Sequence, residues 1–482
     1  MNQSLNKIVR SLVPPNEEFP EINVSGIQLN SSQVTDGDLF IAVPGTKVDG
    51  HDFIHDAIAA GAKAVISNGR DIGKLSVPQI KVANPRRATS IVAAEFYGHP
   101  SKDLTVIGIT GTNGKTTTSS LLTAILQAAG KNSAQLGTLG LIAEGFPKDN
   151  TLTTPDAITL QKLFSELRDA DFSHIIMEVS SHALDQYRVA DVDFDIAVFT
   201  NLTPEHLDYH KTQESYFQAK ARLFRMLPIE STAIVNESDP NGIRIGKESK
   251  SPMITFSRGN GNSLHFNELE LTISGIKGLI QAGQLDYEIN SKLAGEFNAE
   301  NILAAVSVAH ALGIGKQFIE AGINQCSSVP GRMEFFPLKS GATVIIDYAH
   351  TPDAYEKVLG TLKHMVQPET QIHVVFGAGG DRDKSKRSEM GRIAELFADH
   401  CYVTPDNPRT EDPNQITKEI ISGFTENAYT TYTNRADGLR DALTHAKRAD
   451  LVVVLGKGRE EYQEISGDKV FYSDLKIIRE FQ

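Results

Sequence analysis

The feature that most constrains the fold is an alternation that begins at Leu104. The apolar runs TVIGITG, HIIMEVSS, DIAVFTNL and TAIVN end in glycine or polar residues, and helical stretches part them from one another. A run that is apolar on both faces cannot lie with one face in water, so these segments read as buried parallel strands joined by crossover helices. The pattern returns beyond Pro330-Gly331 in TVIIDYAH, IHVVFGAGG, HCYVTPDNP and DLVVVLGKG. Ligands of open parallel sheets sit at the carboxyl ends of the strands. Chemistry is therefore expected where these runs turn polar.

Shorter runs, DLFIAV, KAVIS and QIKVA, form an earlier α/β unit that ends near His99-Pro100. Before it, Leu5, Ile8, Val9 and Leu12 recur at helical spacing until Pro14-Pro15 stops the helix. The stretch SLHFNELELTISGIKGLI is more alternating and β-like, and a helix follows near Asn298 to Leu312. At about 150 residues per domain, a chain of 482 residues divides into three units, here 1–100, 101–330 and 331–482.

Lys and Arg number 47 against 60 Asp and Glu, a net charge of −13. Such a chain has no global field attracting nucleic acid or anionic lipid, so a local cluster must hold any phosphate it binds. Neither nucleic acid nor membrane is expected as a partner. The most apolar stretch, around Ile302 to Ile314, is interrupted by Ser307 and His310, and MNQSLNKIVRSLVPP lacks a signal-peptide core. Cys326 and Cys401 are far apart, which excludes a disulfide framework or zinc knuckle and suits a reduced, cytoplasmic protein.

The most specific local signal is the turn from TVIGIT through Gly111-Thr112-Asn113-Gly114-Lys115-Thr116-Thr117 into an apolar-periodic helix. This is the context of a phosphate loop. Glycines let backbone amides and the helix N-terminus face phosphate oxygens, Lys115 adds a point charge, and Thr116 offers magnesium a hydroxyl. Only two residues separate Gly111 from Gly114, a departure from GxxxxGK[ST]. Glu178, ending its strand, is placed to hold magnesium or orient water. In NLTPEHLDYH, His206 is preferred over His210 as a functional histidine. By itself, Lys220 in YFQAKARLF reads as a helical surface lysine. FGAGGDRDKSKR gathers Arg382, Lys384, Lys386 and Arg387 as a candidate anion site, and Arg409 and Glu460 on neighbouring strand ends add the charges needed to bind a zwitterion.

Together GTNGKTTT, TTPDA, MEVSSHALDQYR, NLTPEHLDYH, GEFNAENILAA, PGRMEFF, DYAHTPDA, GAGGDRDKSKR and DNPR resemble the Mur ligases, ATP-dependent amide-bond synthetases of peptidoglycan precursor assembly. The resemblance implies an N-terminal UDP-binding α/β domain, a central P-loop ATPase domain with a parallel sheet, and a C-terminal Rossmann-like domain that delivers the amino acid. It implies that ATP phosphorylates the D-glutamate carboxylate of UDP-N-acetylmuramoyl-L-alanyl-D-glutamate and that an incoming amine displaces the phosphate. ATP and Mg2+ are the implied cofactors, and the protein is expected to be a cytoplasmic monomer.

Residue by residue, the resemblance gives Lys115 to the ATP phosphates and Thr116, Glu178, His206 and a carbamylated Lys220 to the metal site, which reverses the surface reading of Lys220. It assigns Asn298, Asn301, Arg332 and Asp347, with the loop Gly111 to Thr117, to ATP. Leu152, Thr153, Thr154, Ser180, Gln186 and Arg188 match positions that hold the muramoyl dipeptide, and Leu29, Ser31, Thr46, Lys47 and Val48 match its uridine end. Many relatives read DSR where this chain has Asn30-Ser31-Ser32, so the flanking ion-pair partners are absent. Asp406, Asn407, Pro408 and Arg409 resemble the loop of members that add meso-diaminopimelate, with Arg382, Gly456 and Glu460 completing the site. Diaminopimelate is lysine with a further carboxylate, and a guanidinium fork pairs with a carboxylate bidentately. The alternatives are a lysine-adding member, a folate-polyglutamate ligase, disfavoured by DLFIAVPGTKVDGHDF, and a nucleotide-dependent switch without ligase chemistry.

Overall fold

The computed structural model describes residues 2–45, 48–148, 152–259, 264–426 and 428–482. Three large sheets carry the chain. The first has four parallel strands in sequential order, Gly26–Gln28, Asp38–Ile41, Ala64–Ser67 and Gln79–Lys81. Helix Pro85–Tyr97 starts with proline after Asn84, whose side chain accepts the Arg87 amide, and it buries Ala88, Val92 and Phe96 against this sheet. Leu5, Ile8 and Val9 join the same core. The opening helix is only Leu5–Ile8, followed by a 3-10 turn at Arg10–Leu12.

The central sheet has ten strands, with Thr105–Thr110 between His174–Glu178 and Ile196–Phe199, all parallel. Helices cover both faces, as the doubly apolar strands require. Leu121, Leu122 and Ile125 of helix Lys115–Ala128 pack with Ile302, Leu303 and Val306 of helix Glu296–Ala311 on one face. Leu160 and Phe164, with Phe217 and Phe224 of helix Gln213–Arg225, fill the other. Beyond Met253–Ser257 the sheet continues as an antiparallel meander, Leu264–Thr272, Gly275–Ala282 and Leu285–Ser291.

The third sheet runs Glu334–Pro337, Thr343–Asp347, Leu451–Leu455, Ile372–Phe376, His400–Val403, Tyr429–Thr431, parallel except for its first strand. Beneath it lies a buried ion pair. Arg435 donates to both carboxylate oxygens of Asp474 at 3.0 and 2.9 Å, and also to the Leu455 carbonyl and the Thr404 hydroxyl. Removing one partner leaves an uncompensated buried charge. Asp474→Ala is therefore expected to cost about 3–5 kcal/mol, read as a lower urea midpoint at unchanged slope; a midpoint equal to that of the parent would show that the pair carries no net stability. Among the described residues, no helix is long and apolar enough to cross a membrane.

Candidate active site at the carboxyl ends of the central sheet

Strand Thr105–Thr110 delivers the chain into the loop and helix Lys115–Ala128. Gly111 has φ +152°, and a Cβ there would lie 1.9 Å from Thr200 Oγ1; Gly114 has φ +89°, and its Cβ would meet Asn301 Oδ1 at 2.3 Å. No side chain fits either position. Neighbouring strand ends hold the loop: the Asn201 side chain accepts the Asn113 amide at 2.9 Å, and Thr200 donates to the Asn113 carbonyl at 2.6 Å. Asn201 lies in the NLTPEHLDYH run, but its role is visible only once strand Ile196–Phe199 lies beside the loop.

Two lysines converge on one carbonyl. Lys115 Nζ donates to the Gly111 and Thr112 oxygens at 2.9 and 2.8 Å, and Lys220 Nζ donates to the Gly111 oxygen at 2.8 Å. Lys220 is 1% exposed and stands over the Tyr216 ring. The surface reading of Lys220 is thus corrected: it shares the buried face of helix Gln213–Arg225 with Tyr216, Phe217, Leu223 and Phe224 and points towards the loop. Burial pushes the pKa of Lys220 far down and Lys115 adds to the effect, while Glu205 opposes it. Burial also lowers the pKa of Lys115, against Glu178 and Glu205. Asn301 donates to Asn298 at 3.0 Å and lies within 3.4 Å of Thr118 Oγ1, so both asparagines sit behind the loop.

Glu178 is fully buried and accepts from the amide and hydroxyl of Thr138 at 3.0 and 3.1 Å. The next strand-end residues continue this network outward. Thr154 Oγ1 donates to the Glu178 carbonyl and accepts the Ser180 amide, Arg188 donates to the Thr154 carbonyl and Gln186, and Gln186 reaches the Tyr209 hydroxyl. Thr153 lies 3.4 Å from Thr138, and Leu152 is exposed. Towards the first sheet, Leu29 packs on its core, Asn30 caps the turn by accepting from Ser32, Ser31 begins that turn, and Val48 is exposed. Thr46 and Lys47 lie outside the described residues.

His206 has φ +57° and is pushed down to about 4, chiefly by burial. Its ring packs edge-on to His182. His210, pushed down to about 4 mainly by burial, bonds to Ser181 Oγ. Beside them Glu205, which sequence reasoning missed, stays well below the usual carboxylate range: burial raises it, but His350, His206 and Lys115 outweigh that. Among the described residues, no group of three or more His, Cys, Asp or Glu side chains is arranged to hold a metal ion. Magnesium commonly takes one or two protein oxygens and fills its shell with water and phosphate. The hydroxyl of Thr116 and the carboxylate of Glu178 suit that demand.

The third sheet meets the loop directly. Arg332 donates to Thr116 Oγ1 at 3.1 Å and lies over the Tyr348 ring, Asn113 donates to Asp353 at 3.0 Å, and His350 contacts Glu205. Asp347 uses both oxygens on the Met333 and Ala349 amides. It pins the segment after Gly331 and so orients Arg332.

The cation cluster of GAGGDRDKSKR is not an open anion site. Arg387 is fully buried against Glu411, Glu419 and the Gly379 carbonyl, Lys384 pairs with Glu411, and Lys386 donates to the His350 carbonyl. The carboxylates that neutralise it come from beyond residue 410, outside the motif. Arg382 remains exposed and donates to the Asp381 carbonyl. Arg409, at φ +54°, donates to Glu464 at 3.0 Å and to the Gly380 carbonyl. Asn407 donates to Glu460 at 3.0 Å, the Pro408 carbonyl turns back to the Glu411 amide, and a Cβ on Gly456 would strike Asp406 Oδ2 at 2.5 Å. Arg382, Arg409, Asp406, Asn407, Gly456 and Glu460 thus gather at the ends of adjacent strands.

Three family models match the chain in order: Mur ligase family, catalytic domain, at 23–97; Mur ligase middle domain at 109–309; and Mur ligase, glutamate ligase domain at 331–458. The chain belongs to the Mur ligase family. It is 38% identical over 99% of its length to the UDP-N-acetylmuramoyl-L-alanyl-D-glutamate--2,6-diaminopimelate ligase of Syntrophomonas wolfei, covering 98% of that protein. The enzyme of the same name from Gloeobacter violaceus is 41% identical over 96% of this chain and 94% of its own. A solved structure of a ligase bearing this name superposes with a TM-score of 0.70 at 31% identity, covering 100% of this chain and 98% of that one.

Proposed function

We propose that the protein is an ATP-dependent ligase that joins meso-diaminopimelate to the D-glutamate carboxylate of UDP-N-acetylmuramoyl-L-alanyl-D-glutamate, in cytoplasmic peptidoglycan precursor synthesis. The observation that carries the reading is the convergence of Lys115, Lys220 and Glu178 around one phosphate loop, in a chain that matches ligases of that name over nearly its whole length.

A carboxylate is a poor electrophile, so the reaction must activate it. The substrate carboxylate oxygen attacks the γ-phosphorus of ATP, the bond to the β-phosphate oxygen breaks, and an acyl phosphate and ADP result. The diaminopimelate amine then adds to the acyl carbon, and the tetrahedral intermediate expels phosphate as the amine loses a proton. The residues contribute positioning and charge neutralisation, which supply most of phosphoryl-transfer catalysis. Lys115, released from the Gly111 and Thr112 carbonyls, binds phosphate oxygens, and Arg332 brings a second cation to the same loop. Thr154, Ser180 and Arg188 orient the dipeptide beside Glu178. Thr116 and Glu178, with His206 and carbamylated Lys220, would hold magnesium, whose charge would offset that on the transferring phosphoryl group. A neutral amine is the form that adds to carbon dioxide, and the burial of Lys220 favours that form.

Arg409 with Arg382 receives the distal carboxylate of diaminopimelate, and Glu460 with the Gly456 carbonyl receives its ammonium. Arg409→Ala removes the fork from a paired carboxylate. It is expected to lower kcat/KM for diaminopimelate by about 30-fold to several-thousand-fold, with the KM for ATP little changed. Steady-state kinetics with both amino acids tests this, and an unchanged preference for diaminopimelate over L-lysine would contradict the assignment.

A further inference from the structure

Lys457 has no role in the reading above, yet it lies at the centre of the amino-acid loops. Its side chain has no solvent exposure, and its Nζ donates at 3.0 Å to both Asn407 Oδ1 and Glu460 Oε2 and lies 3.7 Å from Asp406 Oδ1. The Tyr462 ring stands 5.5 Å away. One buried cation therefore fastens three side chains assigned to substrate. The same oxygen of Asn407 also accepts the Glu464 amide, and Glu464 pairs with Arg409. The network thus spans the site from its carboxylate-binding end to its ammonium-binding end.

The charges are informative. The loops bring together three cations, Arg382, Arg409 and Lys457, and three carboxylates, Asp406, Glu460 and Glu464. Of the neighbouring charges, Arg459 pairs with Glu334, Lys384 and Arg387 pair with Glu411 and Glu419, Lys386 donates to the His350 carbonyl, and Asp381 and Asp383 accept from Thr410 and Ser385. An array with cations and carboxylates at both ends, Arg409 beside Glu464 and Lys457 beside Glu460 and Asp406, suits a zwitterionic group. Without the Lys457 charge, Asp406 and Glu460 would favour a lone ammonium, the group that lysine presents. We propose that Lys457 is a specificity-determining positioning residue: by holding Glu460, Asp406 and Asn407 together and cancelling one of their charges, it makes the loops select a zwitterionic side-chain end over a simple amine. This rests on the diaminopimelate reading. Selection here is a difference between two substrates, set as much by what penalises the wrong one as by what binds the right one.

The test compares kcat/KM for meso-diaminopimelate and L-lysine in the full chain for the parent, Lys457→Met and the milder Lys457→Gln, with the KM for ATP and the thermal midpoint as checks on folding. In both variants diaminopimelate is expected to lose about 30-fold or more, with lysine changing less than about threefold, so that the ratio moves by about tenfold or more. A double variant, Lys457→Met with Asp406→Asn, removes the excess charge without restoring the hydrogen bonds and is expected to return much of the diaminopimelate preference. Equal losses for both amino acids would overturn the proposal in favour of a purely structural lysine, as would an unchanged ratio in a folded variant. A parent that turns over neither amino acid would instead contradict the ligase reading and take this proposal with it, whereas equal losses against an active parent contradict the role of Lys457 alone.

Discussion

Lys220→Ala is expected to lower kcat by on the order of a hundred- to a thousandfold, with a much smaller change in the KM for ATP. The expectation follows from the position of this side chain. It is enclosed, it touches the same carbonyl as the phosphate-loop lysine, and burial favours its neutral form. A neutral buried amine within reach of the phosphate loop contributes little electrostatically, but the carbamate it forms with carbon dioxide is an anion able to share the cationic charge of the site. The sign is definite: lowering pH through the depressed pKa protonates the amine and removes the form that reacts. Intact-protein mass spectrometry under bicarbonate should then show an added carbon dioxide in the parent and none in the variant, and activity should fall in degassed, bicarbonate-free buffer. Full activity without carbon dioxide, or in Lys220→Ala, would contradict this role.

Lys115→Ala is expected to lower kcat/KM for ATP by on the order of a thousandfold or more. The lysine ammonium rests on two loop carbonyls, Gly111 and Thr112, and is half-buried beside Glu178 and Glu205. Without it, these two carboxylates would repel nucleotide phosphates. Lys115→Arg should recover little, because a planar guanidinium fork does not reproduce the point charge and contacts of the lysine ammonium. Nucleotide binding measured calorimetrically separates the effect from folding: a variant that binds ATP as tightly as the parent would show that Lys115 is not the phosphate contact.

Most of the parallel strands were legible because they are apolar on both faces, a pattern that water forbids to most alternatives; Ser133–Gly137, Met253–Ser257 and Tyr429–Thr431, which are more polar, were not. Nor was the strand Gly26–Gln28, because three residues carry no period. Within the site, local motifs revealed Lys115, Thr116 and Glu178. The partners that set their environment lie on other strands: Asn201 and Glu205 beside the loop, Glu464 and Lys457 beside the DNPR loop. Each is an ordinary residue until the sheet order brings it within hydrogen-bond reach. Lys220 shows the limit most clearly: Tyr216, Phe217, Leu223 and Phe224, three and four residues away, place it on the buried face of its helix, but a lysine is read by its charge as a surface residue until the packing of Gln213–Arg225 encloses it. The cluster around Arg387 shows the reverse, a run of cations already matched by distant carboxylates.

The most direct test supplies purified protein with ATP, magnesium and UDP-N-acetylmuramoyl-L-alanyl-D-glutamate, together with either meso-diaminopimelate or L-lysine, and records phosphate release and product mass. One phosphate per amide formed, with product strongly preferred from diaminopimelate, is the predicted result. Preferential formation of the lysine product, or ATP hydrolysis without any ligated product from folded protein, would contradict it.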